Sequence, residues 1–446
     1  MVASNITKSK MVITQKVAFG DPAFTKNRGM PIHRWVPWIA GFSCEFVQSA
    51  IAKYAKETNS IVLDPFAGVG TTLIEAVMTG HQAIGFEINP YAALAAKTKL
   101  NAIRIDLRSL SKTKGQFSAF YDKKSINGYE PKSVVPEGFK TRGEFYSPEV
   151  LRKVLIVQDF IKTIENSDIR DLFRIAFAAT MIKYSNYSYE PSLGQRKSGG
   201  KKNITDYEVG EEILYKLNEM VEDIETVQSH YRNAIPSSCI WQKSFFDCFK
   251  QIRSGTVDLI VTSPPYLNNY HYNRNTRPHL YWLGYAQKPD DLKALEEANF
   301  GKFWQTVRGE KRIELEFNLA DSGLAKSLKL LRRLNCERGI YGGKGWANYA
   351  ASYFNDCYRF VKCIKYVLRR KGTALIVIGN SVLQGVMIPT DKYLAQIAES
   401  IGLKTIEIHI PRDTRVGNSI IQSSVRVGKA KESHHLYEAV VELQKR

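Results

Sequence analysis

Cysteine is sparse in this chain: six in 446 residues, at Cys44, Cys239, Cys248, Cys336, Cys357 and Cys363, with no C-x-x-C pair among them. That spacing excludes a small disulfide scaffold and fits buried thiols in a reducing compartment. From Met1 to Gln15 there are lysines but no apolar core of a secretory signal. No apolar run is long enough to span a bilayer, so a cytoplasmic protein is expected. Internal repeats and long low-complexity tracts are missing too. Acidic residues are in deficit, 44 against 63 Lys+Arg, which leaves a net charge of +19. With 44% hydrophobic residues the chain has material for a substantial core. The charge points to a polyanionic partner, most simply nucleic acid. No segment is a basic tail, so any cationic footprint must be assembled by folding.

From Ser60 onward strand and helix signals alternate. Ile61-Val62-Leu63 reads as a strand, Thr71 to Thr79 as a helix stopped by Gly80, Gln82 to Glu87 as a strand, and Pro90 to Leu100 as an Ala-rich helix. Such alternation predicts βαβ units and a mainly parallel sheet in an α/β fold. Helical periodicity then dominates residues 102–236, over Val150 to Ile164, Asp168 to Lys183 and Tyr207 to Gln228, with a basic loop from Gln195 to Lys202. Ser238 to Gln242 and Val257 to Val261 resume the sheet. A second, polar insertion covers 286–345. After it come a helix from Tyr349 to Arg370, a strand from Thr373 to Ile378, a helix to Ser400 capped by Thr390 and Asp391, and closing strands at Lys404 to Ile410 and Leu436 to Leu443. The ordering predicts one nucleotide-binding core interrupted twice.

Two stretches carry chemistry. Asp64-Pro65-Phe66-Ala67-Gly68-Val69-Gly70-Thr71-Thr72 follows a strand and opens a helix. Glycines there admit close backbone approach, and the helix N-terminus offers free N–H groups to a carboxylate or phosphate. Glu87, at the tip of the next strand, is placed for ribose hydroxyls. Thr262-Ser263-Pro264-Pro265-Tyr266 ends an apolar strand. Its two prolines stop the ladder and hold the chain extended. The rim so formed bears a hydroxyl, backbone acceptors and an aromatic face, parts that suit a planar base held by its exocyclic amine.

Together the two stretches resemble the exocyclic-amine DNA methyltransferases, which methylate cytosine N4 or adenine N6 with S-adenosylmethionine. The resemblance covers 31–100 and 238–285, and 346–443 more loosely; the insertions fall outside it. It implies a class I methyltransferase (Rossmann-like) fold with a mainly parallel seven-stranded sheet. Residues 1–101 would be the cofactor-binding part of the core, 237–285 the catalytic part and 346–446 its C-terminal part. The mainly helical insertion 102–236 is the first candidate for target recognition, with Arg196 to Lys202 as a DNA contact, and 286–345 the second. The resemblance also places Phe42 and Ser43, after the aromatic run from His33 to Trp38, at the methionine end of the cofactor. Asp64 would bind the methionine amino group, Phe66 line the adenine pocket, Gly68 and Gly70 form the loop, Thr71 and Thr72 meet the carboxylate, and Glu87 hold the ribose. Asp247 would lie near the adenine amine; a surface helix cap is the other reading of that residue. Ser263, Pro264, Pro265 and Tyr266 would be catalytic.

The exocyclic amine is a poor nucleophile because its lone pair is delocalised into the ring. Ser263 and the Pro264 carbonyl accepting its hydrogens would free that pair for in-line attack on the sulfonium methyl, largely by positioning. The base must first be flipped out of the duplex, with Tyr266 offering a stacking face and Asn268 to Tyr272 continuing the rim. Carbon-5 cytosine methylation needs a cysteine nucleophile, usually after proline, and the chain has no Pro-Cys dipeptide. Within the family, serine before Pro-Pro-Tyr is more often a cytosine-N4 signature, so site-specific N4 methylation of duplex DNA is favoured over adenine N6. An RNA base methyltransferase and an inactive DNA-binding protein on the same fold are rival readings. A cognate restriction endonuclease is a candidate partner. His434-His435 reads as a polar turn rather than a metal site, and no metal is expected. Arg274 and Arg277, among the tyrosines of 270–285, suit a splayed nucleic-acid strand. Tyr281, Trp282 and Leu283 read as core. Arg412 and Arg415 are either phosphate contacts or solvated loop charges.

Overall fold

The computed structural model describes residues 24–38, 41–126, 128–189, 193–230, 235–267, 272–319, 323–412 and 435–446. Asn268 to His271, His434 and Arg415, singled out above, lie outside the described residues, as do the side chains of Tyr272 and Arg274. In chain order the elements are α1 (Cys44–Tyr54), β1 (Ile61–Asp64), α2 (Thr71–Met78), β2 (Gln82–Phe86), α3 (Pro90–Asn101), α4 (Leu107–Ile126), α5 (Pro148–Thr163), α6 (Ser167–Thr180), α7 (Val209–His230), β3 (Ser238–Trp241) and β4 (Val257–Thr262). There follow α8 (Tyr272–Trp282), α9 (Pro289–Ala298), α10 (Gly323–Arg333), α11 (Gly343–Val367), β5 (Leu368–Gly379), α12 (Thr390–Ser400), β6 (Leu403–Arg412) and β7 (Glu438–Lys445).

The seven strands form one sheet in the order β3-β2-β1-β4-β5-β7-β6. Pairing is parallel from β3 through β5, and β7 runs antiparallel to both its neighbours. This is the α/β sheet expected of a class I methyltransferase. The chain winds outward from β1 to β3, then returns to lay β4 against the other side of β1. That reversal is a topological switch point, where loops diverge beyond the strand ends and open a crevice.

Strand side chains alternate between two cores. Val62, Leu259, Val261 and Leu375 face the layer holding α1, α2 and α3, whereas Leu63, Ile260, Ala374 and Ile376 face α11 and α12. Helices α4 to α7 share the first of these cores, through side chains such as Phe117, Phe160 and Phe173. The helical insertion is therefore welded to the sheet layer rather than attached as a module. Buried Asp223 of α7 reinforces the weld: it accepts hydrogen bonds from the Ile32 amide (2.7 Å), Trp35 Nε1 (2.9 Å) and the Arg34 guanidinium (2.7 Å). Tyr281 and Trp282 are buried, as expected for core.

Local chemistry sets several boundaries. Asn89 caps α3 by accepting from the Tyr91 amide at 3.0 Å, with Pro90 in the first turn. Two expectations need correction. The long helix before β5 spans Gly343–Val367 rather than Tyr349 to Arg370, and the strand starts at Leu368 instead of Thr373. Leu368 is fully buried and pairs with Val257, a long-range ladder that helical periodicity does not register. At the other end, Gly343 opens the helix because a Cβ there would collide with the Leu331 carbonyl oxygen. Thr390 and Asp391 do not cap α12, whose N-cap is Pro389. The Thr390 hydroxyl donates to the Gly379 carbonyl, and Asp391 accepts from the Tyr437 hydroxyl at 3.0 Å. Both side chains tie α12 to the sheet. Among the described residues no helix is long and apolar enough to cross a membrane.

Candidate active site

Because β1 and β4 are parallel neighbours, Asp64 and Thr262 emerge at the same sheet end. The Thr262 hydroxyl donates to Asp64 Oδ1 at 2.7 Å, and the Phe66 amide donates to the same oxygen at 3.0 Å. One hydrogen bond thus joins the two stretches that carry the chemistry, across 198 residues of chain. From α2, Thr72 Oγ1 donates to the Val261 carbonyl at 3.2 Å.

Two cavities open at this junction. The smaller, about 310 Å³, is lined by Trp38, Phe42, Asp64, Gly68, Thr71 and Ser263. The larger, an open cleft of about 760 Å³, is lined by Phe66, Glu87, Phe246, Ser263, Pro265 and Phe300, among others. Trp38, Phe66, Gly68 and Ser263 belong to both.

A carboxylate sits in the wall of each. Asp64 is 1% exposed, and burial pushes its carboxyl up to about 6, against the opposing pull of the hydrogen bonds it accepts from Thr262 and Phe66. Glu87 is pushed up to about 7, again mainly by burial. Its oxygens accept from the Asn89 amide at 2.7 Å and the Gly68 amide at 2.9 Å, which pull it back down, while Asp64 adds repulsion. Two buried acids held at this cost suit a ligand that carries positive charge and hydroxyl groups.

Eight of the fourteen residues expected at the site line these cavities: Phe42, Asp64, Phe66, Gly68, Thr71, Glu87, Ser263 and Pro265. The others support the site from behind or stand aside. Ser43 is fully buried and caps α1 through the Phe46 amide. Thr72 spends its hydroxyl on β4. Gly70, at φ +89°, would bring a Cβ to 2.9 Å from Ala96 Cβ, so it permits α2 to pack on α3. Asp247 does not line either cavity; its half-exposed carboxylate pairs with Lys250 at 3.2 Å, and neighbouring Phe246 lines the cleft instead.

Pro264 and Tyr266 lie outside both linings, in a loop anchored from three sides. Tyr353 of α11 donates to the Pro265 carbonyl at 2.9 Å, and Ser381 donates to the Leu267 carbonyl. The Tyr266 hydroxyl donates to Glu438 Oε1 at 3.0 Å, and Arg412 holds the other Glu438 oxygen at 3.3 Å. Arg412 is therefore part of this support rather than a loose loop charge.

Sequence reasoning missed several walls. Ala298, Asn299 and Phe300, from the second insertion, close the cleft, with the Phe300 ring 5.2 Å edge-on to Phe66. Nothing local marks them, since only folding brings them to the sheet end. Trp38 had a signal, its place in the aromatic run; a Cβ on Gly68 would lie 3.3 Å from its indole nitrogen.

Residues 26–98 match the DNA methylase family N6_N4_Mtase. Over the whole chain there is similarity to the Type II methyltransferase M.BsoBI of Geobacillus stearothermophilus, 24% identical over 89% of this chain and 83% of that protein. The chain belongs to the exocyclic-amine DNA methyltransferase family. The Type II methyltransferase M.AvaI of Nostoc sp. is 26% identical, over 92% of this chain and 87% of its own. Among solved structures, the rRNA methyltransferase aviRa from Streptomyces viridochromogenes aligns over 92% of this chain and 87% of its own with 8% identity and a TM-score of 0.30, too low to carry an argument. In this methyltransferase the adjoining cavities fit S-adenosylmethionine: an acid stands in each wall, and Gly68 leaves the cradle between them open.

One further cluster brings potential metal donors together. His33, Cys44 and Glu75 lie within 4.8 Å of one another and are buried. His33 Nε2 and Glu75 Oε1 already pair at 2.7 Å, Gln48 donates to the other Glu75 oxygen at 2.8 Å, and burial pushes the Cys44 thiol up to about 11. A protonated thiol beside the His33–Glu75 pair forms a core cluster, in which buried His33 Nδ1 has no hydrogen-bond partner among the described residues. His435 gives its carbonyl to Asn380 at 2.8 Å.

Proposed function

We propose that this protein transfers a methyl group from S-adenosylmethionine to the exocyclic N4 amine of cytosine in duplex DNA, at a specific site and on a flipped-out base. The observation that carries the reading is the position of Ser263. It is the first residue beyond β4, forms wall in both cavities, and follows the Thr262 that is bonded to Asp64. Asp64 and the N-terminus of α2 bind the charged methionine end, and Glu87 the ribose. When bound, the cofactor supplies a methyl group activated on sulfonium sulfur. Ser263 Oγ and the Pro264 carbonyl accept the amine hydrogens and so favour a pyramidal nitrogen with an available lone pair. Tyr353, Ser381 and Glu438 hold those acceptors still, so that little reorganisation is needed at the moment of reaction. The Type II relatives support a modification enzyme that works beside a restriction endonuclease.

Labelled methyl transfer to plasmid DNA, followed by mass analysis of the nucleosides, tests this. N4-methylcytosine is expected, and Ser263→Ala should lower turnover by about a hundredfold or more while retaining cofactor binding. N6-methyladenine would overturn the cytosine assignment. Finding 5-methylcytosine, methylated RNA alone, or undiminished turnover in Ser263→Ala would overturn the mechanism.

A further inference from the structure

A third cavity, open to solvent and about 1380 Å³ in volume, lies beside the cofactor cleft and shares Trp38 with it. Its lining comes from four parts of the chain: the N-terminal segment with Arg28 and Trp38, Tyr91 of α3, the first insertion from Ala179 to Lys201, and α8 with Asn275, Thr276 and His279. Helix α8 begins a few residues beyond the Ser263–Tyr266 loop, so the arm that leaves the catalytic motif forms one side of this cavity.

The arrangement is built rather than incidental. In the first insertion a short antiparallel pair, Tyr187–Tyr189 and Leu193–Gln195, is bolted to α8. The Tyr189 hydroxyl donates to the Asn275 carbonyl at 3.0 Å, and the Leu193 amide donates to Asn275 Oδ1 at 3.3 Å. On the cofactor side, Asn89 Nδ2 donates to Thr276 Oγ1 at 2.9 Å, and the Asn89 amide is the one that holds Glu87. The floor is aromatic and uncharged: Trp38 and Tyr189 line it over the buried stack of His279 on Tyr91 (4.3 Å, 14°), where burial pushes the imidazole pKa down to about 4. Arg28, Lys183, Arg196 and Lys201 supply cations around it, and no acidic side chain lines it among the described residues. Lys183 is paired with Glu212 at 2.6 Å, so Arg28 and Arg196 are the cations on which the argument rests.

Neutral rings beneath a cationic rim match the two halves of a nucleotide, a base with a π-face and a phosphate. We propose that this cavity takes an unpaired stretch of the target DNA strand, phosphates on Arg28 and Arg196 and a base against the aromatic floor. The first insertion is then the arm that presents the strand to Ser263. This rests on the methyltransferase reading above, and extends it by assigning the strand path.

The test is binding of a fluorescein-labelled, mixed-sequence DNA of about thirty nucleotides, single-stranded and duplex, across about 50 to 200 mM salt. Arg28→Ala with Arg196→Ala should weaken single-strand binding about tenfold at the lowest salt and flatten the log–log salt slope by about one to two. S-adenosylmethionine affinity should not change, which reports an intact fold, and the paired Lys substitutions, Arg28→Lys with Arg196→Lys, should recover the slope. An unchanged slope in the alanine pair overturns the proposal, as does a larger loss from Lys329→Ala with Arg333→Ala in the second insertion. If the wild-type protein methylates DNA while either occurs, only the strand path is wrong. A wild-type protein that methylates no DNA overturns the functional reading and the strand path with it.

Discussion

Asp64 gives the sharpest test, because its burial and its proposed contact with the cofactor make opposite demands on it. Its carboxyl is 1% exposed and its pKa is raised from 3.8 to about 6 by burial. Two units correspond to about 3 kcal/mol against the ionised form. The sign follows from the direction of the shift. A carboxyl raised in the folded state contributes stability that is complete below its unfolded value, near pH 4, and is lost as pH rises through about 6. At pH 8 the ligand-free protein therefore carries a buried charge that costs up to about 3 kcal/mol. An asparagine amide in its place would keep an oxygen for the Thr262 hydroxyl and the Phe66 amide without that charge. Asp64→Asn should accordingly stabilise the ligand-free protein by about 1 to 3 kcal/mol at pH 8 and by little near pH 4. For 446 residues the melting temperature would rise by about 1 to 3 °C. S-adenosylmethionine binding should move the other way, weakening about ten- to hundredfold with loss of a charge-assisted bond. Urea unfolding at both pH values, and calorimetric titration of the cofactor, measure the two effects. A variant less stable than wild type at pH 8, or one with undiminished cofactor affinity, would refute the reasoning.

Other outcomes follow from the supports of the site. Gly70→Ala should destabilise by about 2 kcal/mol or more, since a positive φ costs about 1 to 2 and the new Cβ meets Ala96. Gly115→Ala, with open space inside α4, should instead stabilise by up to about 1 kcal/mol. Chemical denaturation measures both, and equal shifts in the two variants would contradict this contrast. Glu438→Ala releases Tyr266 and should cut kcat about tenfold at unchanged cofactor affinity, whereas Glu438→Gln, which keeps an acceptor, should stay within about threefold of wild type. Equal losses in the two Glu438 variants, read by single-turnover methylation, would remove Tyr266 positioning from the account.

The alternation of strand and helix, the glycine loop and the Ser-Pro-Pro-Tyr rim were legible because each depends on local chemistry. Apolar runs make strands, glycine permits left-handed backbone at Gly70, and paired prolines end a ladder. The same local reading misplaced the start of β5, where burial of Leu368 against Val257 outweighs helical periodicity. It grouped Thr71 with Thr72 and set Asp247 near the cofactor where neighbouring Phe246 lines the cleft, because neighbours on a chain face different surroundings.

By itself the sequence determined which chemical groups stand at the strand ends and, through the alternation of strand and helix, that the sheet is mainly parallel. Only the tertiary structure decided which of them face the cleft. Ser43, Thr72 and Tyr266 commit their polar atoms to the scaffold, and Phe300, Tyr353 and Glu438 arrive from far along the chain to close or brace the site. Partners in a hydrogen bond are chosen by proximity in space, and contacts across 198 residues, such as Thr262 to Asp64, leave no periodic trace in the order of residues.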